Sequence, residues 1–200
     1  MDPNLSVLDA GADALVLDAS VLLNMLGTGI TSEVLKALAM PTIVEETILV
    51  EALRDPRDGT SADDIISELV STRMLLREVM DARSLDIFLD LVGANPPDDL
   101  SDGEAATIAY AVIRNATAAI DERKATRIAR MRFPQLTICS TLDILSSPCV
   151  ICALGIESLS AALFDATKFA RMHIPRQFED WVRDLLGPER STECRSLRKR

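Results

Sequence analysis

Short apolar runs that alternate with stretches of helical spacing constrain this chain more than any other feature. The runs are "ALVLD" at 14–18, "PTIV" at 41–44, "MLLREVM" at 74–80, "ATAAID" at 116–121 and "LTICS" at 136–140, of which "MLLREVM" fits strand or helix and is read as strand. Between them lie "ASVLLNMLG" (19–27), "TSEVLKALAM" (31–40), "EETILVEALRD" (45–55), "SADDIISELVSTR" (61–73), "SLDIFLDLVGA" (84–94), "SDGEAATIAYAVIRN" (101–115) and "ERKATRIARMR" (122–132), whose apolar residues recur with a helical period. Strands joined through helices are joined by crossovers, and crossovers make parallel strands. An α/β fold with a mainly parallel sheet follows. Hydrophobic residues make up 48% of the chain and aromatics only 4%, so the core is built from aliphatic side chains, which suits helices packed on a buried sheet.

Local signals place the helix ends. Thr31 or Ser32 is the expected cap of the second helix and Ser61 that of the helix over 61–73. Ser101 with Glu104 three residues on has capping-box spacing. Pro96 and Pro97 cannot continue a helix. From Thr141 to about Gly187 the pattern is helical, and the basic end "RSLRKR" reads as disordered. The expected organisation is a domain over 1–147 with its core from about residue 14, a helical extension over 148–187, and a basic tail over 188–200.

Several function classes are excluded. There is no G-x-x-x-x-G-K-[ST] loop and no G-x-S-x-G elbow. His173 is the only histidine, so no mechanism uses a histidine pair, and its setting reads as surface or capping. Cys139, Cys149, Cys152 and Cys194 are expected to be reduced and buried, with zinc at "CVIC" the minority reading because a second close pair is missing. Residues 1–12 read as a loose leader; no signal peptide and no membrane span is expected, which points to a cytoplasmic protein with no membrane partner. A net charge of −10 argues against nonspecific coating of nucleic acid, but not against an enzyme that meets phosphates through a divalent metal.

Two apolar runs end in a carboxylate, Asp18 and Asp121. Parallel strands share one carboxyl edge, where open α/β sheets place their ligands, so the two would be neighbours. Either one alone reads as the N-cap of the next helix. Together, beside Glu104 and Glu51, they read as a site. Glu104 also fits its capping box, and Glu51 also fits a solvated face with Arg54 as partner. At about 5 Å and an effective dielectric near 20, each carboxylate pair costs roughly 3 kcal/mol, so a cluster needs a neutralising partner. Oxygen-only ligands select Mg²⁺ or Mn²⁺, and such ions support phosphoryl chemistry. Arg123, Arg127 and Arg130 share one face of the helix after Asp121. That face suits a phosphate-bearing partner, or else a solvated surface paired with acids elsewhere.

The blocks "LVLDASVLLNML", "VEETILVEALR", "LSDGEAATIAYAV", "AAIDERKATRIA" and "ICSTLDIL", in that order over roughly 14–147, resemble the PIN domain family. The resemblance implies a three-layer α/β/α sandwich and a metal-dependent ribonuclease site. It would make Asp18, Glu51, Glu104 and Asp121 the catalytic acids, with Asp18, Glu104 and Asp121 on the metal and Ser20 in support. Asp102 and Glu122 are alternative ligands close to that set. Arg123, Arg127 and Arg130 would contact substrate. The resemblance further implies RNA as substrate, a possible antitoxin partner and a possible homodimer. The other reading is an inactive scaffold that binds RNA or a protein. Removing one like charge, as in Asp121→Asn, is expected to stabilise the metal-free protein.

Overall fold

The structure is a computed structural model that describes residues 13–50 and 53–197. Five parallel strands form one sheet: β1 (Leu15–Leu17), β2 (Thr42–Glu45), β3 (Leu76–Glu78), β4 (Thr117–Ala119) and β5 (Ile138–Cys139), in the order β3-β2-β1-β4-β5. The three central strands, β1, β2 and β4, are buried along their whole length, while β3 and β5 at the edges are partly exposed. The register pairs Leu17 with Val44 on one side and with Ala119 on the other, so β1 is central and β2 and β4 flank it.

Alternation along β1 divides the core. Leu15 and Leu17 face a layer made of α1 (Ala19–Gly27), α2 (Thr31–Leu38), α4 (Asp63–Ser71), α8 (Thr141–Leu145) and α9 (Pro148–Phe169). Val16 faces the other layer, formed by α5 (Ala82–Val92), α6 (Asp102–Arg114) and α7 (Arg123–Arg132). The fold is therefore the expected α/β/α sandwich with C-terminal helices. The small side chains of "EAATIAYA" let α6 lie close on the sheet, with Ala105, Ala106, Ala109 and Ala111 fully buried.

Several local expectations change. Ile30, without a side-chain cap, precedes α2, because Thr31 Oγ1 turns back to the Met25 carbonyl at 2.9 Å. Ala62 precedes α4, while Ser61 Oγ accepts from the Asp63 N–H at 3.3 Å. The helix after β2, α3, runs over Glu46–Val50. Cys139 and Cys194 are buried as expected, but Cys149 and Cys152 are exposed, since they sit on the outer side of α9.

The C-terminal helices are part of the same body. Gly27 ends α1 against α9, where a Cβ would stand 2.8 Å from the Ala170 Cβ. α9 has 22 residues and an 18-residue stretch of mean hydropathy 1.7, so by length and composition it could cross a membrane, contrary to expectation. It breaks at Gly155, with φ 75°, and Leu159, Leu163 and Ala166 beyond the break are fully buried against the domain. α10 (Glu179–Glu193) also turns at a glycine, Gly187 with φ 71°, and continues through Pro188. A 3-10 turn at Arg195–Leu197 follows, with Cys194 and Leu197 buried. The stretch expected to be a disordered tail is therefore structured as far as Leu197, because these two apolar side chains have a core to enter.

Candidate active site at the carboxyl edge of the sheet

Asp18 follows β1 directly, and its N–H donates to the Ala119 carbonyl at 3.1 Å, which fixes it beside the end of β4. It is the N-cap of α1. Oδ2 accepts from the Ser20 N–H at 3.2 Å and from Ser20 Oγ at 2.5 Å. The residue is only 4% exposed. Burial pushes its carboxyl above the usual carboxylate range; the Ser20 bonds oppose that shift, and the Glu104 carboxylate adds to it. Among the described residues no Lys or Arg forms an ion pair with Asp18, Glu104 or Asp121.

Glu104 lies in the first turn of α6. Its Oε2 accepts from the Ser101 N–H and from Ser101 Oγ, each at 2.9 Å, so the capping box is formed. Glu104 is thus both a cap and the source of negative potential at Asp18. Asp121 does not cap the helix that follows it; Glu122 holds that position, with no side-chain cap bond. The Asp121 carboxylate instead joins two other helices. Oδ1 accepts from the Thr141 N–H at 2.8 Å, and Oδ2 accepts from Asn24 Nδ2 at 2.7 Å and from Thr141 Oγ1 at 2.5 Å. Asp102 and Glu122 are exposed. Glu51 lies outside the described residues.

Sequence reading overlooked three neighbours. Asn24 is a buried polar side chain on an otherwise apolar helix, one turn beyond Ser20. Thr141 opens α8 in the "ST-x-D" pattern. Both were legible as polar residues in apolar surroundings. Glu45 ends β2 at the same edge, is 1% exposed, and accepts from the N–H groups of Thr47 at 2.6 Å and Met80 at 3.3 Å. The first of two adjacent glutamates, it gave no sign in the sequence that it was the buried one.

The carboxylate donors are oxygen-only and short of positive charge, with Asp18 buried and Glu104 and Asp121 half-buried, a chemistry that fits a hard divalent cation. In their present rotamers the carboxylates are turned to their own hydrogen-bond donors. Among the described residues, no group of three His, Cys, Asp or Glu side chains is placed to hold a metal ion.

The basic helix divides. Arg127 pairs with Asp98 at 2.6 Å, Lys124 with Asp99 at 3.7 Å, and Arg132 with Asp90. These pairs are largely exposed, where an ion pair is worth little. Arg123 Nη2 donates to His173 Nε2 at 3.2 Å. Arg130 has no carboxylate partner among the described residues. The surroundings of Asp121 open into a cleft of about 2400 Å³ between α7 and the segment that links α9 to α10.

A family model described as a PIN domain matches residues 14–181. No curated protein and no solved structure matches the chain.

Proposed function

The chain belongs to the PIN-domain family, and from that premise we propose that it is an Mg²⁺- or Mn²⁺-dependent endoribonuclease. PIN domains are generally metal-dependent nucleases. The observation that carries the proposal is Asp18: a carboxylate buried at the carboxyl edge of a parallel sheet, within the field of Glu104 and with no basic partner. A buried charge in that state calls for a cation.

Asp18, Glu104 and Asp121 would hold the ion, which when bound supplies charge stabilisation to the phosphodiester and lowers the pKa of water. Ser20 fixes the Asp18 carboxylate through its N–H and hydroxyl. Asn24 and Thr141 fix that of Asp121 with three bonds, leaving one lone pair on Oδ1. Glu104 would have to exchange its bonds to Ser101 for the ion. Glu51 would help orient or activate the attacking water. Arg123, Arg127 and Arg130 take the phosphates, Arg127 by exchanging Asp98 for the substrate. We place the enzyme in the cytoplasm, a reading that rests on the sequence, and as the toxin of a toxin–antitoxin pair and a homodimer, which the family resemblance supports.

The test is cleavage of single-stranded RNA by purified protein with Mg²⁺ or Mn²⁺. Activity is expected to vanish with EDTA and in Asp18→Asn. The second reading, a scaffold that binds RNA or protein without cutting, is favoured by the carboxylates being turned to their own donors. Intact RNA after incubation with either metal, while RNA still binds, would decide for the scaffold.

A further inference from the structure

The chain carries 31 acids against 21 bases, yet one cleft collects bases on two opposed walls. The α7 wall supplies Arg123, Arg127 and Arg130. The facing wall comes from the C-terminal helices and supplies Lys168, Arg171 and Arg176. Of the acids on the lining, Asp121, Glu122 and Asp143 stand at the end near the sheet. Asp143 is committed to the Ser140 N–H and hydroxyl at 2.8 and 2.6 Å, and Glu179 lies 3.9 Å from Arg183. Glu193 and Arg195 also line the cleft. The cleft therefore has an acidic end at the candidate site and basic walls leading away from it.

The facing wall is built rather than incidental. Between α9 and α10, residues 171–175 have no regular structure and alternate in burial. Met172 and Ile174 are each 2% exposed and sit in the C-terminal apolar cluster, while Arg171 and His173 point outward. Alternation of this kind puts neighbouring side chains on opposite faces. The two apolar anchors thus fix the outward direction of the two polar residues. Arg171 holds φ 55°, a left-handed conformation that is strained for a non-glycine residue. Lys168, Arg171 and Arg176 have no carboxylate partner among the described residues. The walls meet where Arg123 donates to His173.

We propose that the segment 168–176 is a second substrate wall, whose Lys168, Arg171 and Arg176 bind phosphates of a single RNA strand that runs from the candidate site along α7. The proposal rests on the ribonuclease reading and adds to it the part of the chain that sets how long a substrate is gripped. A polyanion with regularly spaced charges fits bases on both sides of a cleft. Met131, 61% exposed, Phe164 and the His173 ring offer surface on which unpaired bases can lie. An acidic polypeptide is the competing occupant, and the test separates it.

Binding of a fluorescein-labelled 12-residue oligouridylate to the full chain is followed by anisotropy in EDTA, at several salt concentrations. Arg171→Ala/Arg176→Ala is expected to weaken binding roughly tenfold and to reduce the slope of log affinity against log salt by about 1.4, for two lost phosphate contacts on a single strand. Arg171→Lys/Arg176→Lys is expected to restore the slope, which a folding defect in the alanine variant would not predict. Unchanged affinity and slope in the alanine variant would overturn the proposal. So would no binding of the wild type at low salt, or displacement of the oligonucleotide by polyglutamate as readily as by unlabelled oligouridylate. Metal-dependent cleavage of a uridine dinucleotide, too short to span the wall, is measured separately. Its absence with arginine-dependent oligonucleotide binding intact would remove the nuclease reading and leave the wall.

Discussion

Asp18 and Asp121 end neighbouring strands with the same side chain and stand in opposite surroundings. Burial, with Glu104 nearby, raises the Asp18 carboxyl above its ordinary 3.8, so folding favours its protonated form. The sign follows from linkage: this group's contribution to stability is fully present below 3.8 and is lost as pH rises through the raised folded value. Asp18→Asn removes that loss and keeps an oxygen for the Ser20 donors. It is expected to raise the metal-free Tm at neutral pH by about 2–4 °C, taking the gain as about 1 kcal/mol, and the advantage over wild type should shrink as pH falls through the window. Asp121 has donors at both oxygens, from Asn24 and Thr141. An asparagine there would aim an amide N–H at another donor, so Asp121→Asn is expected to lower the Tm, by about 1–3 kcal/mol of stability. This reverses the expectation that loss of its charge would stabilise the metal-free protein. Paired thermal melts across pH check both, and a lower Tm for Asp18→Asn at neutral pH would refute the account of Asp18.

Among the elements, α6 carries a conflict within one side chain. Glu104 completes the capping box with Ser101, and it also supplies negative potential at Asp18. A metal would draw it from the first role to the second. Ser101→Ala deletes the hydroxyl that receives the Glu104 N–H and bonds its carboxylate. The metal-free protein is expected to lose about 1 kcal/mol, as for other N-caps. The Tm rise on adding Mg²⁺ is expected to grow, because the carboxylate no longer leaves a hydroxyl behind on binding. Melts of both proteins with and without Mg²⁺ at fixed ionic strength measure this. A smaller Mg²⁺ shift in the variant would mean that the capping geometry positions Glu104 for the ion rather than competing with it.

At the scale of the molecule, the C-terminal helices fold with the sheet. Leu159 and Val150 enter the same cluster as Leu15 and Leu17, while Leu142 of α8 packs with Leu163, Val182 and Leu186. Trp181 is the only tryptophan, and it touches both clusters. Its fluorescence therefore reports the C-terminal helices, and far-UV circular dichroism reports the whole. Urea unfolding is expected to give coincident transitions by the two probes. Leu163→Ala, at a fully buried position, should cost about 2–5 kcal/mol and shift both transitions together. Separate midpoints would show that the C-terminal helices unfold on their own.

Order and type of the elements were written in the sequence, because hydrophobic period and helix-end chemistry are local. The runs ending at Asp18 and Asp121, the Ser101–Glu104 box and the glycine stop at Gly27 all involve residues a few positions apart. The shared edge also followed from sequence, since parallel strands put all carboxyl ends together. Tertiary structure alone decided what each carboxylate touches. Asn24 and Thr141 reach Asp121 from separate helices, and Glu45 is buried by the approach of the loop that carries Met80. The same holds for the C-terminal wall. "RMHIP" has no period of its own, and only the core that takes in Met172 and Ile174 turns Arg171 and His173 toward the cleft. Local spacing records which residues can share a face, but which face meets charge, solvent or another helix depends on packing between segments far apart in the chain.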